Sequence, residues 1–108
     1  MLNIHEMMIA RRIIEDALSL DYKMSVYDGE ETIVHKSSDF WEVYGALGTT
    51  DYDAIRFYAD GKLIGSVALV WGNDTDVIHD WSDTPEIDRL MRGPFQTASL
   101  IDRECGRF

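Results

Sequence analysis

The sequence predicts an α+β domain whose mainly antiparallel sheet has about five strands, with helices packed on it, in the order α-ββ-α-βββ-α. Three observations lead to this prediction. The run Lys62–Trp71 is apolar at almost every position, which is typical of a central strand covered at least partly on both faces. Two Asp-Gly pairs, at 28–29 and 60–61, favour tight hairpins. No helical segment interrupts either group of strands, which favours antiparallel pairing over a doubly wound α/β arrangement.

The first predicted helix spans Leu2–Leu20, because apolar residues recur there at spacings of three and four. Asn3 is its expected N-cap, and Glu6 is the expected partner in a capping box. A strand at Tyr22–Tyr27 and a return strand at Glu31–Lys36 then flank the first Asp-Gly turn. A two-residue loop and a four-residue loop both fit this turn, so the register of the hairpin stays open.

The middle of the chain combines a short helix with two long strands. A cap cluster at Ser37–Asp39 precedes a helix of about three turns, and Gly48 can end it in the left-handed conformation. A strand at Asp53–Ala59 leads through the second Asp-Gly turn into the central strand. Gly65 predicts a bulge or a close backbone approach there. Alternation places Leu63, Val67, Leu69 and Trp71 on one face, and Ile64, Ala68 and Val70 on the other.

The last part of the chain is predicted to add one strand and one helix. Val77–Trp81 is a short strand, antiparallel to its predecessor, and Thr84-Pro85 is typical of a helix start. Gly93-Pro94 is expected to break this helix, leaving 94–108 as a frayed C-terminal helix or tail. With 108 residues and no repeat or linker, the chain is expected to form a single domain, 1–108.

The charge balance restricts the classes of partner. The net charge is −10, from 20 acids and 10 bases. Such a charge argues against direct binding of nucleic acid and against an anionic membrane surface, and it would steer the protein towards a basic partner. The single cysteine, Cys105, permits no intramolecular disulfide, which is typical of the cytoplasm. The sequence shows no signal segment and no apolar run long enough to span a bilayer.

No pattern of residues predicts catalysis. The three histidines are scattered without ligand spacing, and the oxygen-rich stretch Asn73–Asp83 lacks the glycine and glutamate of a calcium loop. Ser66, His79 and Asp80 would form a poor triad, because adjacent strand residues point to opposite faces. We therefore expect no enzyme, no cofactor and no metal. The alternative is a small enzyme or ligand-binding domain whose site the sequence does not reveal.

Acidic loops with aromatic neighbours are the best candidates for a functional surface. Residues 21 to 60 contain nine acids and three bases. Protein interfaces tend to use aromatic anchors beside charged residues. The predicted partner-binding residues are Asp28, Glu30, Glu31, Trp41, Asp51, Asp53, Tyr58, Asp60, Asp74, Asp76 and Trp81. The competing interpretation is that the tryptophans pack in the core and that the charge serves solubility.

Three stretches, Ser25–Glu31, Thr50–Asp53 and Leu69–Asn73 with Val77–Asp80, resemble small uncharacterised proteins of phages and mobile elements. The resemblance covers about Met24–Leu90 and contains no catalytic residues. It implies an inhibitor of host defence, anti-CRISPR proteins among them. We therefore expect a non-enzymatic acidic protein that blocks a basic nucleic-acid-binding surface of a host nuclease complex, with nucleic-acid mimicry as the sharpest version. The sequence is also compatible with an immunity protein against a nuclease toxin, and with a homodimer formed through an edge strand.

Overall fold

The structure, a computed structural model, describes residues 2–104. It contains three helices and five strands, in the predicted order. They are α1 (Ile4–Ser19), β1 (Lys23–Tyr27), β2 (Thr32–Ser37), α2 (Phe40–Ala46), β3 (Tyr52–Ala59), β4 (Lys62–Val70), β5 (Ile78–Trp81) and α3 (Pro85–Glu104). Every neighbouring pair of strands is antiparallel, and the order across the sheet is β2-β1-β3-β4-β5. The predicted fold class is therefore confirmed.

The local signals at the N-termini of the helices operate as the sequence indicates, whereas α2 is shorter than the predicted three turns and ends at Ala46. Asn3 and Glu6 form the reciprocal capping box of α1, with N–O distances of 2.9 and 2.8 Å. Asp39 caps α2, and its Oδ1 accepts hydrogen bonds from two backbone N–H groups. Thr84 caps α3 and precedes Pro85, the first helical residue. These caps satisfy N–H groups that have no partner within the helix.

The two hairpins differ in loop length. Tyr27 is paired with Thr32, so the first turn uses four residues, 28 to 31, which settles the register that the sequence leaves open. Ala59 is paired with Lys62, so the second turn is the two-residue loop Asp60-Gly61. Both loop residues have positive φ, at 51° and 78°, as the tight turn requires.

The helices cover one face of the sheet. Val26, Ile55, Phe57, Val67 and Leu69 are fully buried on that face, in one apolar cluster with the inner residues of α1, α2 and α3. The opposite face, here called the open face, carries the alternate residues of the same strands; most of these are partly exposed, whereas Ser25 is buried. On this second face of β4, Ser66, Ala68 and Val70 are half-buried, which agrees with the expected partial cover.

A β-bulge at Gly65 interrupts the alternation of side chains along β4, so that residues before the bulge lie on the face opposite to the predicted one. Phe57 is opposite Gly65 and Tyr58 is opposite Leu63, so Ile64 is the extra residue. Leu63 is therefore on the open face and is 59% exposed, and its predicted place on the buried face is wrong. Gly65 has φ +150°, and a Cβ there would collide with the side chain of Ile87. The bulge lets α3 approach the sheet closely.

The predicted break at Gly93-Pro94 is wrong, because α3 continues through both residues to Glu104. A proline inside a helix costs about 3 kcal/mol, so packing must compensate. Gly93 is buried against α1, where a Cβ would lie 2.8 Å from Nε of Arg12. The close contact between the two helices thus outweighs a local breaker. The rest of the predicted tail, including Cys105, lies outside the described residues.

No helix within residues 2–104 is both long and apolar enough to cross a membrane.

Candidate functional site

The sheet brings acids from three separate segments of the chain to one end. The β1–β2 turn carries Asp28, Glu30 and Glu31, and Asp51 immediately precedes β3. The β4–β5 loop adds Asp74 and Asp76 at the same end, because β4 finishes beside the start of β3. These six predicted partner-binding residues form what we call the acidic end: Asp28, Glu30, Glu31, Asp51, Asp74 and Asp76.

Hydrogen bonds hold the backbone of the acidic end in place. The hydroxyl of Thr50 donates to the carbonyl oxygen of Asp28 at 2.9 Å. The backbone N–H of Trp71 donates to the carbonyl oxygen of Asp51 at 3.0 Å. The first turn, the start of β3 and the end of β4 are therefore joined, so the side chains of the acidic end project from a defined backbone.

The first turn is organised by its own aspartate. The Oδ1 of Asp28 accepts hydrogen bonds of 2.9 Å from the backbone N–H groups of both Glu30 and Glu31. These bonds favour the ionised carboxylate and lower the pKa of Asp28. The hydroxyl of Tyr27 donates to the carbonyl oxygen of Gly29 at 2.9 Å, which draws the turn towards the open face. Asp28 therefore remains charged while it orders the loop.

The β4–β5 loop is tied to two helices. Oδ1 of Asp74 lies 2.7 Å from Nδ1 of His5 in α1, and Asp74 has a positive φ of 57°. The hydroxyl of Thr75 hydrogen-bonds Asp102 of α3 at 2.5 Å. Asp74 thus has a structural contact of its own, whereas Glu30 and Glu31 are exposed at the tip of the first turn.

Asp53 does not belong to the predicted partner-binding surface, because it is fully buried. Its Oδ2 accepts hydrogen bonds from the backbone N–H of Gly48 at 2.8 Å and from Nε1 of Trp71 at 2.7 Å. Burial raises the pKa of this carboxyl group. The strand pattern contains a signal for this burial: Asp53 has the same parity as Ile55 and Phe57, which face the core.

Glu6 is a second buried carboxylate, and the sequence pattern indicates only its role in the cap of α1. Its Oε1 accepts the hydrogen bond from Asn3, and its Oε2 accepts one of 2.6 Å from the backbone N–H of Gly72. The residue is only 2% exposed. Glu6 therefore ties the start of α1 to the end of β4, a link between distant residues that no local pattern indicates.

Two further predicted residues, Tyr58 and Asp60, lie at the opposite end of the sheet. They line a cleft with Lys23 and Lys36, and Nζ of Lys36 is 5.0 Å from the centroid of the Tyr58 ring. Such a contact between a cation and an aromatic ring is attractive. Tyr58 and Asp60 therefore do not share a surface with the acidic end, and their neighbours are two lysines and Asp21.

The two predicted tryptophans also lie apart. Trp41, on α2, is 74% exposed, and its ring contacts Phe40 at 4.9 Å between centroids. Trp81 ends β5 and packs edge-on against Phe95 of α3, with centroids 5.0 Å apart. Trp41 is thus available to a partner, while Trp81 is partly used to join the sheet to α3.

The structure shows no arrangement that supports catalysis by the candidates in the sequence. In residues 2–104, no hydrogen bond joins the side chains of Ser66, His79 and Asp80, and Asp80 accepts instead from the backbone N–H of Trp81. In the same described range, no group of three or more histidine, cysteine, aspartate or glutamate residues is placed to hold a metal ion.

Comparisons with protein families, with curated proteins and with solved structures find no match for this chain.

Proposed function

We propose that this chain is a non-enzymatic binding protein whose acidic end engages a basic surface on another protein. The observation that supports this proposal most directly is the convergence of six predicted carboxylates on one end of the sheet, from the β1–β2 turn, the start of β3 and the β4–β5 loop. Negative charges gathered at one end of a sheet attract a cationic surface on a partner.

The fixed backbone conformation of the acidic end favours binding. The backbone hydrogen bonds of Thr50 and Trp71 hold the loops before any partner arrives. A preformed surface avoids part of the entropy that a flexible loop loses on binding. Concentrated negative charge also accelerates the encounter with a basic partner and makes the association sensitive to salt.

The narrower proposal names the partner. In it, this chain is a phage or mobile-element protein that acts in the cytoplasm and blocks the basic nucleic-acid-binding surface of a host defence nuclease complex. The overall charge of −10 supports it. In this version the exposed carboxylates of Glu30 and Glu31 occupy positions that phosphates otherwise take. An immunity protein would use the same acidic end, with a nuclease toxin as its partner.

Binding to a purified RNA-guided nuclease complex, with a purified nuclease toxin as the second probe, tests the proposal. We expect affinity for one of them to fall steeply as the ionic strength rises from about 0.01 M to about 0.15 M, which shortens the Debye length from about 30 Å to about 8 Å. The variant Glu30→Lys/Glu31→Lys should weaken that binding by about tenfold or more, or ~1.4 kcal/mol.

The matched control is Glu15→Lys/Glu86→Lys, which makes the same change of charge at exposed helix residues. Both positions lie away from the acidic end, near the end of α1 and the start of α3. If neither probe binds at low salt, or if the control weakens binding as much as the reversal at the tip, the proposal is wrong.

A further inference from the structure

A groove lined by apolar and small residues lies between α1 and α2. Its lining begins with Leu2, just before α1, and continues with Met7 of that helix, while the other lining residues come from α2 and the segment after it. None of the lining residues carries a charge. We call this feature the helix groove, and its lining consists of Leu2, Met7, Tyr44, Gly45, Leu47, Gly48 and Thr49.

An exposed tryptophan extends the apolar surface of the helix groove. The ring of Trp41 contacts that of Tyr44, with centroids 6.2 Å apart, and its side chain is 74% exposed. Met7 is 39% exposed on the side of α1. Exposed methionine and aromatic side chains beside a groove are typical of sites where the apolar face of a partner's helix docks.

Gly45 keeps the α2 side of the helix groove free of a side chain. It lies inside α2, where glycine is less favourable than alanine. A Cβ built on Gly45 would meet no atom within 4 Å, so no contact in residues 2–104 requires the glycine. The missing side chain instead lets the backbone of a partner come close to α2.

The helix groove adjoins the acidic end where α2 leads towards β3. Thr49 belongs to the groove, and Asp51 follows it two residues later. The hydroxyl of Thr50, between them, donates to the carbonyl oxygen of Asp28 at 2.9 Å. Two residues of the acidic end, Asp28 and Asp51, are therefore next to the groove.

The other charges around the helix groove leave its surroundings negative. On the side of α1, His5 is bound to Asp74, a further residue of the acidic end, at 2.7 Å. Arg11, farther along α1, has Glu15 at 4.0 Å, so this pair adds no net charge. Glu42 is exposed on α2 and adds one more negative charge. An apolar groove thus lies among carboxylates.

We propose that the helix groove binds an amphipathic helix of the basic partner, with an apolar stripe and with lysine or arginine beside that stripe. This inference rests on the proposed function, because it describes the partner of the acidic end. The apolar stripe packs between α1 and α2, over Gly45 and against Trp41. The basic side chains next to the stripe reach Asp28 and Asp51.

Charge complementarity favours such a helix over other occupants. A second copy of this chain would bring a net charge of −10 towards the carboxylates around the groove. A nucleic acid would be repelled in the same way. A basic segment without apolar residues would leave the lining of the groove uncovered. A helix also suits the geometry, because helices pack on one another at about 8–10 Å between their axes.

Two synthetic peptides test this inference. The first is a fluorescently labelled helix of about 20 residues, with leucine at every third or fourth position and lysine beside it. The second replaces every leucine with glutamine and keeps every lysine. We expect fluorescence anisotropy at an ionic strength of about 0.15 M to show that the leucine peptide binds about tenfold tighter or more.

Gly45→Gln fills the helix groove without adding charge. It should weaken binding of the leucine peptide by about tenfold or more. It should also raise the midpoint of chemical denaturation, because glutamine is a better helix former than glycine, so lost binding cannot come from unfolding. The matched control is Ser99→Gln, which adds the same side chain at an exposed position of α3, a helix that contributes no residue to the groove. It should bind like the parent.

Tryptophan emission gives a second measurement. The leucine peptide should shift the emission of the parent to shorter wavelength, because it covers the exposed ring of Trp41. Trp41→Phe should lose this shift. A leucine peptide that does not bind, that binds no tighter than the glutamine peptide, or that binds equally to Gly45→Gln and the parent would each overturn the inference.

The acidic end is tested separately by Glu30→Lys/Glu31→Lys. This variant should weaken binding of both peptides, whereas Gly45→Gln should weaken binding of the leucine peptide alone. Unchanged binding of the glutamine peptide and of the nuclease probes to the charge reversal would contradict the proposed function. Unchanged binding of the leucine peptide to Gly45→Gln would contradict only the helix groove.

Discussion

Nε1 of Trp71 donates a hydrogen bond of 2.7 Å to Oδ2 of Asp53, which joins the end of β4 to the start of β3 inside the core. The same oxygen accepts the N–H of Gly48, at the end of α2. One buried carboxylate therefore links three elements directly beneath the acidic end. Its second oxygen, Oδ1, is buried and has no hydrogen-bond partner.

The pH dependence of stability should reveal Asp53. Its pKa is higher in the folded chain than in the unfolded chain, so the folded state binds more protons. Its contribution to stability is therefore complete at acidic pH and is lost as pH rises through the folded pKa. Asp53→Asn removes this titration. We expect its melting temperature, relative to the parent, to be higher near pH 7 than near pH 4.

Asp51→Asn is the matched control for this measurement, because it makes the same chemical change at an exposed position two residues away. It should show little of the pH-dependent difference. Thermal melts followed by circular dichroism would contradict the interpretation if Asp53→Asn gained no stability relative to the parent between acidic and neutral pH.

Asp28 should show the opposite dependence of stability on pH. Its folded pKa is lowered by the N–H groups of Glu31 and Glu30, so its contribution is present at neutral pH and is lost as pH falls through the folded pKa. We expect Asp28→Ala to melt below Glu30→Ala at neutral pH and to match it at strongly acidic pH. Equal melting temperatures at neutral pH would show that the turn does not depend on the side chain of Asp28.

The placement of β4 predicts two opposite outcomes at adjacent residues. Val67 is fully buried, so Val67→Asp would place an unpaired charge in the core and should cost more than about 4 kcal/mol, enough to unfold the chain. Ser66 faces the open side, and Ser66→Asp should retain a cooperative melt. A Val67→Asp variant that melts like the parent would contradict this placement of the strand.

Two glycine substitutions test the bulge in β4. Gly65→Ala should destabilise the fold by about 2 kcal/mol or more, because φ is +150° and the new Cβ meets buried Ile87. Gly45→Ala, inside α2 with no atom within 4 Å of its Cβ, should stabilise by about 0.5–1 kcal/mol. Chemical denaturation measures both changes, and a stabilising Gly65→Ala would argue against the bulge.

The predicted partner-binding residues show what local sequence patterns indicate and what they omit. The sequence itself shows the acidic loops, and the structure places six of their acids at the same end of the sheet. The sequence predicts Tyr58 and Asp60 on the same surface as the acidic loops, yet antiparallel pairing places them at the opposite end of the sheet. The charge of Asp53 likewise predicts exposure, although its strand parity places it in the core.

Local sequence was sufficient for the fold class, the order of elements, the N-caps of all three helices and the positions of the two hairpin turns, because each depends on residues a few positions apart. The length of the first turn was decided by the pairing of Tyr27 with Thr32. The continuity of α3 through Pro94, the reversal of Leu63 and the burial of Asp53 depend on contacts between distant segments. The gathering of the acidic loops at one end of the sheet has the same origin. Strand pairing alone decides which loops become neighbours, and no local pattern encodes that pairing.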